Sequence, residues 1–121
     1  MRIKYNQMVV DQMSDREVDR LFHALADATR RDIVRRVMRG DCSISELARS
    51  YAMSMTAVQK HVIVLEGAGL VAKYKQGREQ RVVGSLDAVH RAQHLLEGFE
   101  QVWRERFDRM GELLSEPTPG G

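Results

Sequence analysis

Apolar positions along this chain follow a helical spacing, give way to a short stretch of strand character, and then become helical again. Val18, Leu21, Phe22 and Leu25 recur every three or four residues, and Ser14 with Glu17 has the S-x-x-E spacing of a capping box, which predicts a helix over about residues 14–26. The segment SISELARSY opens in the same way. Ser43 and Glu46 form the box there, and Ile44, Leu47 and Ala48 form the apolar face. After a turn at Ala52 and Met53, Ser54 is placed to cap SMTAVQKHVIVLEGAG, whose Ala57, Val58, Val62 and Leu65 face inward. Met55, Thr56, Gln59 and Lys60 then stay outside, and Gly67 or Gly69 ends the helix.

Leu70 to Lys75 and Gln80 to Ser85 have strand character and are joined by the Gln76-Gly77-Arg78-Glu79 turn. From Asp87 to Leu114 the helical period returns, with Val89, Ala92, Leu95, Leu96, Phe99, Val102, Trp103, Phe107, Met110, Leu113 and Leu114. Such a helix would be roughly 40 Å long, more than one small core covers, and Gly98 and Gly111 are its candidate bends. Helix, turn, helix and charged hairpin in that order predict a mainly α fold with a small β-hairpin wing, a winged helix-turn-helix. Residues 1–115 are expected to form one domain, with the wing at about 70–85 and a flexible tail at 116–121.

The 121 residues, 43% hydrophobic and 30% charged, suit one modest core. The formal net charge of +2 conceals an uneven distribution. Ser54 to Arg81 carries Lys60, Lys73, Lys75, Arg78 and Arg81 against Glu66 and Glu79, whereas Val82 to Gly121 carries four arginines and seven acids. A field of this kind turns the hairpin side toward a polyanion and the far end away from it. No apolar run is long enough for a bilayer, and a single cysteine, Cys42, cannot form an internal disulfide; a cytoplasmic protein without membrane association is expected.

LADATRRDIVRRV (Leu25 to Val37), followed by SISELARSYAMSMTAVQKHVIVLEGAGLV (Ser43 to Val71) and the charged wing, resembles the ArsR family of bacterial winged-helix repressors over about residues 18 to 86. The resemblance implies a homodimer on double-stranded DNA with an inverted-repeat operator. It gives base and phosphate contacts to Ser54, Met55, Thr56, Gln59, Lys60 and His61, and wing contacts to Lys73, Lys75, Arg78 and Arg81. By side-chain chemistry Gln59 suits adenine, Thr56 offers a hydroxyl or a methyl, and Lys60 suits a phosphate. His61 is open between a phosphate contact and a half-buried structural role, and Arg30 and Arg31 between phosphate and intramolecular partners. The apolar stripes at the two ends, with Leu21, Phe22, Leu95, Phe99, Val102, Trp103 and Met110, are expected to pair two copies about a twofold axis.

Family metal sensors of the thiolate type place two cysteines around one residue near the start of the helix that begins here at Ile44, and Ser43 and Ser45 stand in those positions. Cys42 alone would supply the sulfur, so it reads as an ordinary small residue. Asp87, His90, His94 and Glu97 share a helical face at zinc-compatible spacing, but a solvated polar face is the preferred reading, and no metal or other cofactor is expected. Two alternatives accompany the repressor: a metal- or redox-responsive version using His90 and His94 or Cys42, and a winged helix that binds protein without DNA. An unidentified small-molecule inducer is compatible with each regulatory reading. No nucleophile-base motif or glycine-rich phosphate loop is present, so no enzyme is expected.

Overall fold

The computed structural model describes residues 13–115, so the first twelve residues of the expected domain and the expected tail at 116–121 lie outside the described residues. The elements are α1 (Asp15–Leu25), α2 (Ala28–Arg39), β1 (Cys42–Ser43), α3 (Ile44–Ser50), α4 (Met55–Gly67), β2 (Val71–Gln76), β3 (Glu79–Gly84) and α5 (Asp87–Ser115).

Local chemistry starts each of the first four helices. The Ser14 hydroxyl accepts from the Glu17 N–H at 3.1 Å while the Glu17 carboxylate accepts from the Ser14 N–H at 3.4 Å, completing a capping box. Asp27 caps α2 through the Arg30 N–H, Ser43 caps α3 through the Glu46 N–H, and Ser54 caps α4 through the Ala57 N–H. Only the serine half of the expected box forms at α3, because the Glu46 carboxylate lies 3.7 Å from Nη1 of Arg81 instead. The end of α4 is a Schellman turn centred on Gly69 at φ 77°. The Leu70 N–H donates to the Leu65 carbonyl and the Gly69 N–H to that of Glu66, both at 3.0 Å.

That turn draws Leu70 into the core, so β2 begins at Val71, one residue later than expected. The hairpin closes through Gly77 and Arg78, with Gly77 at φ 64°, the glycine placement a type II′ turn requires. The sheet order is β1-β3-β2, all antiparallel. β1 was not expected: two residues are too few to show a period, and they are strand because Cys42 and Ser43 pair with Val82 and Arg81.

The core contains Leu21 and Ala24 of α1, Ile33 and Val37 of α2, Ile44 and Leu47 of α3, and Val58, Val62 and Leu65 of α4. Leu70, Val71, Val82 and Ala88 complete it. Leu21 is therefore corrected as a dimer residue: it is 0% exposed and faces its own core, while Phe22, 100° further round the helix, faces out. α5 runs without interruption through Gly98 and Gly111. It meets the core through Ala88, Val89 and Ala92, and from Leu96 onward its large apolar side chains are exposed.

β3 passes so close to α2 that a Cβ at Gly84 would lie 2.6 Å from Sδ of Met38 and 3.2 Å from its Cα. Gly84→Ala should lower unfolding free energy by about 1–3 kcal/mol, the usual effect of overpacking, with secondary structure retained. Urea denaturation checks this; an unchanged midpoint would mean that α2 can move away freely.

Candidate nucleic-acid interface

Burying Val58, Val62 and Leu65 turns the opposite face of α4 to solvent. Thr56, Gln59 and Lys60 are exposed there with Ile63 at 57%, and Met55, at the first turn beside the buried stripe, is 46% exposed. Among the described residues, no intramolecular hydrogen bond or ion pair engages the Thr56, Gln59 or Lys60 side chains, so their donors and acceptors are available. The oxygen of Ser54 accepts from the Ala57 N–H, which leaves the hydroxyl proton free to donate beside the unpaired N–H groups of the first turn. His61 is placed differently. It lies about 160° round the helix from Gln59, is half-buried, and its Nδ1 is 3.3 Å from Nη1 of Arg30.

Arg30 and Arg31 are structural for the same reason. Arg30 donates from Nε to the Ala24 carbonyl and from Nη2 to that of His23, both at 2.8 Å, and Arg31 Nη1 donates to Leu25 at 2.7 Å. Two guanidinium groups thus satisfy the last three carbonyls of α1, which a helix end leaves without partners.

The hairpin sorts its cations by strand alternation. Val71, Lys73 and Lys75 share one face, while Tyr74 and, opposite it, Arg81 share the other. Lys73 pairs with Glu66 of α4 at 3.3 Å, which ties the wing to the end of that helix. Lys75 and Arg78 are exposed and, among the described residues, have no ion-pair partner. Arg81 is not presented as expected. Its guanidinium donates to Glu79 at 2.9 Å and to the Asp41 carbonyl at 3.1 Å, because the alternation puts it on the Tyr74 face of the sheet, where Asp41 and Glu46 lie.

Sequence reading missed the polar ties that set the angles between these elements. Tyr51, at the turn between α3 and α4, donates its hydroxyl proton to Oδ2 of Asp32 on α2 at 2.5 Å. Arg36 donates to the same oxygen at 3.0 Å and stacks 5.3 Å from the Tyr51 ring centre. Burial and the Asp32 hydrogen bond push the Tyr51 phenol up to about 12, and the hydrogen bonds from Tyr51 and Arg36 hold Asp32 below its usual range. Tyr74 donates likewise to Asp41 at 2.5 Å, which raises its phenol and fixes the base of the wing to the α2–β1 loop.

Among the described residues no group of three or more His, Cys, Asp and Glu side chains is placed to hold an ion. Asp87 lies 3.7 Å from Nε of Arg91, and Arg91 donates to Glu17 at 2.6 Å, so this region ties α5 to α1. The Cys42 thiol donates to the Gly40 carbonyl, and burial, followed by the charge of Glu46, pushes it up, away from the reactive thiolate.

A second surface lies along α5. Phe99, Val102, Trp103, Phe107, Met110, Leu113 and Leu114 are exposed, as is Phe22 on α1. A hollow of 360 Å³ between α1 and α5, lined by Val18, Leu95, Phe99 and Val102 among others, continues this apolar face. Among the described residues no helix is long and apolar enough to cross a membrane.

A helix-turn-helix domain family matches residues 25–74. The chain is 45% identical over 62 residues to the HTH-type transcriptional regulator Rv2034 of Mycobacterium tuberculosis, a match covering 51% of this chain and 58% of that protein. An ArsR-like transcriptional regulator from Rhodococcus sp. RHA1 is 30% identical with a TM-score of 0.75, covering 84% of this chain and 94% of the other. The crystal structure of the ArsR family transcriptional regulator RHA00566 is also 30% identical, with a TM-score of 0.71 and coverage of 75% and 94%.

Tyr51→Phe should cost about 1 kcal/mol at neutral pH through loss of the Asp32 hydrogen bond. Its pH dependence has a definite sign. A phenol raised in the folded state stabilises fully below its unfolded value near 10, and that contribution is lost as pH rises toward about 12. Urea midpoints of wild type and variant, measured from pH 8 upward, should therefore converge; a constant difference would contradict the assignment.

Proposed function

We propose, on the premise that this chain belongs to the ArsR family of winged helix-turn-helix transcriptional regulators, that it is a homodimeric repressor of an inverted-repeat operator. The observation that carries this reading is the exposed face of α4, on which Thr56, Gln59 and Lys60 have unused polar groups and which the core holds from behind. A helix fits the major groove, where Gln59 can pair with both edge groups of adenine and Thr56 can offer its hydroxyl to a base edge or its methyl to a thymine methyl. Ser54 and Lys60 contact phosphate and fix the register. Lys75 and Arg78 lie on the backbone or in the minor groove, with Lys73 in support through its tie to Glu66.

Dimerisation follows from the exposed stripe on α5. Seven large apolar residues from Phe99 to Leu114 face water in the isolated chain, and a twofold pairing of this helix with its copy covers them. Phe22 and Leu95 border the same surface. Two reading helices related by that axis reach half-sites about one turn, roughly 34 Å, apart. Cys42 and the histidines of α5 take no part in this reading.

Selection from a random duplex pool should enrich an inverted repeat with half-sites about one turn apart. Failure to enrich any sequence at low salt would favour a protein-binding winged helix. On the enriched duplex Gln59→Ala should cost about 1–3 kcal/mol and relax preference at one base pair, whereas Arg78→Ala should weaken all duplexes alike. Trp103→Glu should make the protein monomeric in sedimentation and abolish tight binding to the full repeat while the fold persists; an intact dimer would place the interface elsewhere.

A further inference from the structure

Outside α5, the exposed large apolar side chains among the described residues are Phe22, Met55, Ile63, Tyr74 and Leu86, and two of these five stand on α4, Met55 at its first turn and Ile63 on the side away from the core. Met55, Gln59 and Ile63 are four residues apart in turn, about 40° round the helix at each step, so they form one exposed row inclined from the first turn toward the outward side. The row is about 12 Å long at 1.5 Å per residue, which spans three to four base pairs at about 3.4 Å each. The same helix is poor in charge. Lys60 is its only cation, and its one acid, Glu66, pairs with Lys73.

We propose that Met55 and Ile63 read the C5-methyl groups of thymines, so that α4 selects its target by apolar contact on either side of Gln59. The inference rests on the DNA-binding reading above and adds which bases are chosen. In the major groove the thymine methyl is the one alkyl group that projects from a base edge; cytosine has only a hydrogen at that carbon, and the remaining readable positions are donors or acceptors. Hydrocarbon pressed onto a G·C edge strips water from polar groups and returns no hydrogen bond, whereas hydrocarbon pressed onto a methyl removes apolar surface from water on both partners. Gln59, between the two, suits adenine. The half-site should accordingly carry two thymines, three or four base pairs apart on the groove floor, flanking an A·T pair.

The test uses the full-length protein and the duplex enriched by selection, with each thymine replaced in turn by deoxyuridine. This removes one methyl and leaves base pairing intact. Wild type should bind about three- to five-fold more weakly at two positions in each half-site, the loss expected for one buried carbon. Ile63→Ser should bind thymine and uracil equally at one of these positions, and Met55→Ser should do so at the other. Both residues lie outside the core, and circular dichroism with thermal melting would verify that each variant keeps the fold. Equal affinity of wild type for thymine and uracil at every position would overturn the inference, as would variants that retain the discrimination. A wild type that binds no duplex would overturn the DNA-binding reading itself.

Discussion

Val58, Val62 and Leu65 have no exposed surface, and the burial of this one stripe settles both sides of α4 together. A helix held along Val58, Val62 and Leu65 must present Thr56, Gln59, Lys60 and Ile63 to the outside, since those positions lie on the other side of a 3.6-residue turn. α1, α2 and α3 contribute Leu21, Ile33, Val37, Ile44 and Leu47 to the pocket that receives the stripe. A core this small has little redundancy, so shaving one of these side chains would loosen the helix that carries the candidate contacts.

Apolar packing alone does not fix the angles between short helices, and polar ties between distant residues supply that constraint. Arg30 and Arg31 close the carbonyl end of α1, and Arg30 reaches on to His61 of α4. Asp32 and Tyr51 join α2 to the turn before α4, while Asp41 and Tyr74 join the α2–β1 loop to the wing. Each tie uses a charged partner and sits near the surface, where a good hydrogen bond orients groups more than it stabilises the whole. Among the described residues, the cations of α4 and the wing left without an intramolecular partner are then Lys60, Lys75 and Arg78.

What was legible in the sequence was local. Ser14, Ser43 and Ser54 each cap a helix through an N–H three residues on, and Gly69 ends one through neighbours within a turn, so spacing alone identifies them. The period of α4 likewise gives its two faces. Periodicity does not say what covers an apolar stripe, however, and so Leu21 and Phe22, adjacent on α1, could not be divided between the protomer's own core and an outer surface. Nor did it reveal Asp32 with Tyr51, 19 positions apart, or Asp41 with Tyr74, 33 apart, because no local pattern links them. Arg81 was counted with the wing cations by charge, whereas pairing opposite Tyr74 puts it on the face of the sheet where Asp41 lies.

The central claim is that the exposed face of α4 and the free cations of the wing bind duplex DNA as a polyanion and as a sequence. Affinity for the selected duplex, measured across a salt series from about 50 to 200 mM, tests this most directly. A log–log slope of several units is expected, since two protomers each release several counterions, together with tighter binding than to a scrambled duplex at every salt concentration. A flat dependence, or equal affinity for both duplexes, would contradict it.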